Sequence, residues 1–219
     1  MTQPIPAPRR LLLLACLAAS TTLLPACAPL LFGGAMVGGS MVAIDRRTTG
    51  AQVDDAAIEV KASSRIAALA TLGHVNVTSY NRILLLTGEV PTEADRARVE
   101  QTASLVENVR SVDDELAVMP NSSFGSRSND TYITAKVKAT FLDAKDLQAP
   151  AIKIVTERGI VYLMGLVTER EATRAADLAA SVPGVKKVVR VFEIITEAEL
   201  ANLQAKPAPV REPASAPKP

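Results

Sequence analysis

The chain has 219 residues and a formal net charge of +1, so no global charge points to nucleic acid. Aromatic residues make up 3% and Trp is absent, which leaves no stacking platform for sugars or bases. The apolar content is Val, Leu, Ile and Ala, which suits small α/β cores, and a single His has no companions for a His/Cys metal site.

At the start of the chain, Arg9 and Arg10 precede an apolar stretch from Leu11 to Leu24, followed by Pro25-Ala26-Cys27. A positive segment, a short apolar run and a small residue before a cysteine form the layout of a bacterial lipoprotein signal peptide. Cleavage is expected between Ala26 and Cys27, with lipid carried on Cys27. The 14 residues from Leu11 to Leu24 are too few for a membrane span, which needs about 20. The competing reading is a plain secretory leader with Cys27 an incidental thiol. Cutting before Cys27 removes Cys16 and leaves 193 residues with one cysteine, so no intramolecular disulfide can form. A lone free thiol is a liability in an oxidising compartment, and a lipidated one is not. Residues 27–50 then form a lipidated stalk, apolar and Gly-rich from Ala28 to Ala43.

The rest of the chain repeats itself with an offset of 75 to 77 residues. The first copy occupies residues 51–119. Ile58, Ala62, Ile66 and Leu69 share one face of a helix. Strands are expected over Val75 to Tyr80 and Ile83 to Val90, joined by Asn81-Arg82, which tolerate positive φ. A second helix starts at Thr92 on the capping pattern Thr92-x-x-Asp95 and buries Val99, Ala103 and Val106. A strand from Val109 to Val118 closes the unit. Residues 120–128 read as a short Ser/Asn/Gly-rich linker.

The second copy, residues 129–196, has the same order. Its first helix buries Ile133, Val137, Thr140 and Phe141. Its strands run from Ile152 to Thr156 and Ile160 to Val167, around Arg158-Gly159. Thr168-x-x-Glu171 opens its second helix, with Ala175, Ala179 and Val182 buried, and the last strand runs from Val185 to Ile195. Gly88 and Gly165 interrupt equivalent strands, and close approach by an Ala-rich helix is the expected reason. Beyond residue 196 lies an extension that ends in a Pro/Ala-rich tail, read as disordered. The fold class is α+β: two tandem α-β-β-α-β units, each with its helices on one face of a small mixed three-stranded sheet.

The succession is specific even where each motif is soft. A lipobox cysteine and an apolar Gly-rich stretch lead into Asp45-Arg46-Arg47-Thr48-Thr49-Gly50-Ala51-Gln52-Val53-Asp54-Asp55. Leu-x-Gly-x-Val then occurs once in each copy, and Val-x-x-Val units recur in both. From Cys27 to about Ile195 the chain resembles the dual BON-domain outer-membrane lipoproteins. The resemblance implies attachment to the inner leaflet of the outer membrane, on the periplasmic side. It also implies binding of anionic phospholipid, support of envelope integrity and no enzyme activity. Ala28 after the cysteine, in place of Asp, implies sorting to the outer membrane.

The residues themselves show no catalytic constellation, and no cofactor or metal is expected. His74 precedes a strand and reads as structural or solvated. Asp113-Asp114-Glu115 lacks EF-hand spacing and reads as a solvated strand edge. The glycine pairs Gly33-Gly34 and Gly38-Gly39 fit no phosphate-loop pattern.

Charge separates the copies. Residues 51–119 hold 11 acidic and 6 basic side chains, whereas residues 129–196 hold 8 acidic and 10 basic. On the first helix of the second copy, Tyr132, Ala135, Ala139 and Leu142 face away from the core, flanked by Lys136, Lys138 and Lys145. An outward apolar face rimmed by lysine suits an interfacial helix on anionic lipid. The proposed phospholipid contacts are Tyr132, Lys136, Lys138, Leu142 and Lys145. Two alternatives stand beside this reading. The face could dock on the first copy, or the chain could be an interaction module for outer-membrane assembly proteins.

Overall fold

The computed structural model describes residues 45–70 and 73–204. Cys27, the leader, the Gly-rich segment and the Pro/Ala-rich tail lie outside the described residues.

Thr48 caps helix α1 (Thr49–Ala67) by accepting from the Ala51 amide, and Ile58, Ala62 and Ile66, four apart, go into the core. Leu69 packs against that core from beyond the helix end. Strands β1 (His74–Tyr80) and β2 (Ile83–Val90) form an antiparallel hairpin. Its two-residue turn has Asn81 at φ 48° and Arg82 at φ 66°, the twist a tight hairpin needs. Helix α2 (Glu93–Ser104) crosses over to β3 (Ser111–Val118), which lies parallel to β2.

The second copy repeats this with α3 (Phe124–Asp143), β4 (Ile152–Glu157), β5 (Ile160–Val167), α4 (Glu169–Ala180) and β6 (Lys187–Ile194). A 3₁₀ turn (Ala149–Ala151) leads into β4, and α5 (Glu197–Gln204) follows β6. The β4–β5 turn again holds two left-handed residues, Arg158 at φ 54° and Gly159 at φ 76°. Both sheets are mixed and three-stranded, with the middle strand antiparallel to one neighbour and parallel to the other.

Three expectations need correction. The stretch read as a linker over 120–128 is helical from Phe124, because Ser123 accepts from the Ser126 amide and caps α3 there. The last strands start two residues later than expected, at Ser111 and Lys187, since Val109 and Val185 still belong to the turns after α2 and α4. The strand glycines make room for a neighbouring backbone carbonyl, not a helix. A Cβ on Gly165 would sit 2.7 Å from the Ala151 carbonyl oxygen. One on Gly88 would collide with the His74 carbonyl, and Gly88 also lies at φ 114°.

Each helix pair covers one sheet face, and the opposite faces cover each other. Leu84 and Leu86 point to the helices of the first copy, while Ile83 and Leu85 point the other way. Val161 and Leu163 likewise meet α3 and α4, while Tyr162 and Met164 join Tyr80 and Leu85 in a core between the two sheets. The middle strands are therefore buried on both faces, which is why they read as unbroken apolar runs. The layers run helices, sheet, sheet, helices.

Candidate functional site

The joint between the copies fixes what each presents outward. Two buried aspartates at matching places organise it. Asp55 on α1 accepts from the Asn81 and Arg82 amides, and Asp130 on α3 accepts from the Arg158 and Gly159 amides. Each carboxylate thus holds its own hairpin turn in the left-handed conformation. Burial raises the Asp55 pKa, but hydrogen bonds from Ser79, Arg82, Arg47 and Asn81 outweigh it and leave the carboxyl below its ordinary range.

Charged side chains then bridge the copies. Arg46, ahead of α1, donates to the Leu166 carbonyl and to both Glu171 oxygens at 2.8 Å. Glu171 also completes the capping box of Thr168 at the start of α4. Burial raises its pKa, and the Arg46 and Thr168 hydrogen bonds reverse that shift. The matching Asp95 is half-buried; it accepts from the Thr92 hydroxyl and from Arg98 and makes no such bridge. Arg158 reaches the Gly88 carbonyl and buried Glu89, Arg110 holds Glu193 with both terminal nitrogens, and Lys153 binds Glu59. Glu59 is half-buried in this joint and also accepts from the Ser79 amide.

The outward face of α3 is free of the first copy. Phe124, Tyr132 and Leu142 are 85%, 62% and 71% exposed, and Ala135 and Ala139 are exposed with them. Phe124 is the residue that the sequence reading left out, because it fell in the supposed linker. Lys138 is exposed on this face. Lys136 is half-buried where exposure was expected: it donates to the Pro183 carbonyl and lies 4.9 Å from the Tyr132 ring centroid. Lys145 is exposed but stands past the helix end, on the loop to β4.

The outward face of α1 is also apolar. Val53 and Val60 are 64% and 71% exposed, in line with exposed Ala56, Ala57, Ser64 and Ala67. What differs is the state of the cations. All six basic residues between 51 and 119 are in ion pairs; Lys61 and Arg65 both hold Glu107. Of the ten between 129 and 196, five are ion-paired. The other five, Lys136, Lys138, Lys145, Lys186 and Lys187, make no ion pair with the described residues. Lys186 and Lys187 follow the turn at Pro183 that binds Lys136.

Among the described residues no group of three or more His, Cys, Asp or Glu is placed to hold a metal ion, and no helix is long and apolar enough to cross a membrane.

Two α-β-β-α-β units stacked through their sheets define the class, and the BON domain family model matches residues 54–120 and 129–196. The chain belongs to the BON family. It is 39% identical over 186 residues to the outer membrane lipoprotein DolP of Haemophilus influenzae, an alignment covering 83% of this chain and 95% of that one. It is 32% identical to a 21 kDa hemolysin of Actinobacillus pleuropneumoniae, over 69% of this chain and 80% of that one. Osmotically-inducible protein Y of Escherichia coli is 29% identical, over 68% of this chain and 77% of its own.

Proposed function

We propose that the protein is anchored by lipid on Cys27 to the outer membrane, faces the periplasm, and binds anionic phospholipid through α3 of its second BON domain. This binding supports the integrity of the outer membrane. The similarity to DolP supports the location. The observation that carries the binding reading is the five lysines of the second domain left without ion pairs, beside an exposed apolar helix face, while the first domain neutralises every cation it has. Each unpaired lysine near an anionic surface contributes about 1 kcal/mol, and Phe124, Tyr132 and Leu142 add apolar contact in the interfacial region.

Co-sedimentation of the mature chain carrying Cys27→Ser tests this reading. It should bind vesicles containing phosphatidylglycerol or cardiolipin and bind neutral vesicles weakly. Affinity should fall with salt, since exposed charges are screened beyond about 10 Å at 0.1 M. Equal binding to neutral and anionic vesicles would overturn it. Absence of binding to either would favour the rival reading, an interaction module for envelope assembly proteins.

A further inference from the structure

Beside α3 lies an apolar groove of about 220 Å³, several times the ~30 Å³ that one water occupies. Phe141, Leu142, Ala149, Pro150 and Ile152 line it, and Lys138 is its cation. The chain path explains the gap. After α3 ends, Leu147 turns into the core and the 3₁₀ turn Ala149–Ala151 brings the chain back to β4, with only a methyl group at Ala149 and a proline ring to fill the space. Leu142 belongs both to this groove and to the outward stripe of α3, so the groove opens on the face proposed to meet lipid.

The first domain supplies an internal control. A groove of about 230 Å³ occurs there at the matching place, lined by Ser63, Ile66, Ala67, Gly73, His74 and Val75. Ser63 stands where the second domain has Lys138, Ala67 where it has Leu142, and His74 where it has Ala151. The groove is therefore a property of the fold; among the described residues the second copy lines it mainly with apolar side chains and adds a lysine that makes no ion pair, where the first copy has Ser63 and His74.

We infer that the second-domain groove holds an acyl chain of an anionic phospholipid, with Lys138 beside the phosphate. The inference rests on the lipid reading above and deepens it: the domain takes hold of an individual lipid molecule as well as a charged surface. Charge and continuity select this occupant. A methylene chain satisfies the aliphatic walls without leaving a polar group unpaired, the one lining cation matches an anionic head group, and the opening lies on the helix face itself.

The test uses the mature chain with Cys27→Ser and lysophosphatidylglycerol below its micelle concentration, followed by calorimetry. Extending the acyl chain from six to eight carbons should tighten binding roughly tenfold or more, as each buried methylene contributes about fourfold. Glycerophosphoglycerol, which has no chain, should not compete. Ala149→Trp, which fills the groove, should weaken octanoyl lysolipid binding at least tenfold with an unchanged circular dichroism spectrum. Lys138→Ser should remove the preference for lysophosphatidylglycerol over lysophosphatidylcholine. Equal binding of the two chain lengths, or wild-type affinity in the filled variant, would overturn the inference. Vesicle binding without lysolipid binding would overturn it and leave the surface reading standing; loss of both would sink both. A dimer in sedimentation that Ala149→Trp dissociates would overturn it in favour of a second copy as the occupant.

Discussion

The two BON domains share a strand order, a turn type, a buried aspartate and even a surface groove, yet they present different chemistry. Apolarity does not separate them, because α1 exposes Val53 and Val60 much as α3 exposes Tyr132 and Leu142. Pairing of charge does. In the first domain each cation is held by a carboxylate, and in the second a set of lysines is left to solvent. The lesson is that net charge per domain understates the contrast, since an ion-paired arginine offers little attraction to a distant anion.

The joint is where the comparison can be broken most sharply. Glu171 and Asp95 occupy matching places, but only Glu171 holds a buried arginine. Glu171→Gln should cost about 3–5 kcal/mol at neutral pH, because it strands Arg46. Asp95→Asn should change stability little. The folded-state pKa of Glu171 lies below the ordinary 4.5, so its contribution is present above that value and is lost as pH falls through the folded pKa. The gap between wild type and Glu171→Gln should therefore narrow below pH 4.5, as read by urea denaturation across pH. A gap independent of pH would show that the carboxylate charge is not what matters.

The aspartates sharpen the comparison next. Asp55 serves Arg47 and Ser79 as well as its turn, whereas the hydrogen bonds to Asp130 come from its turn. Asp55→Ala should cost roughly 3 kcal/mol and Asp130→Ala roughly 1–3 kcal/mol. Denaturation midpoints would rank them, and the reverse order would contradict the account. Gly165→Val should cost about 1–3 kcal/mol by pushing β5 from the carbonyl of Ala151. Gly88→Val should cost more, because a β-branched residue there would also be held at φ 114°.

Much of this was legible in the chain. The repeat, the Asn81-Arg82 and Arg158-Gly159 turns and the Thr168-x-x-Glu171 box are local patterns, and local geometry realised them. The stacking of the sheets had a signal that periodicity alone did not resolve: Ile83 to Leu86 and Ile160 to Met164 are unbroken apolar runs, the mark of strands covered on both faces. Phe124 was hidden because Gly125, Ser126 and Ser128 are poor helix formers, and the cap at Ser123 together with the packing of Ile133 and Val137 overrode propensity. Arg46 and Glu171 lie 125 residues apart, so no spacing rule could join them. For the same reason the sequence counted cations but could not tell which were already spoken for, and so ranked Lys136 beside Lys138 although Lys136 is engaged by Pro183 and Tyr132.

That distinction gives the smallest expected energetic effect and a sharp one. Lys138→Glu should weaken binding to anionic vesicles more than Lys136→Glu does, and Ser63→Asp at the matching first-domain position should do little. Leu142→Asp should weaken binding further by removing apolar contact. Co-sedimentation at fixed salt would order the four variants, and equal losses from both domains would show that the attraction is diffuse.

The central claim, that α3 and not α1 meets the membrane, is tested most directly by an environment-sensitive fluorophore placed in turn at Ala139 and at Ala57 of the mature chain carrying Cys27→Ser. Both positions are exposed on outward helix faces. On addition of phosphatidylglycerol vesicles, the label at Ala139 should shift to the blue and gain intensity, while the label at Ala57 keeps its aqueous spectrum. A shift of similar size at Ala57, or none at Ala139 under conditions where the chain co-sediments with the vesicles, would contradict the account.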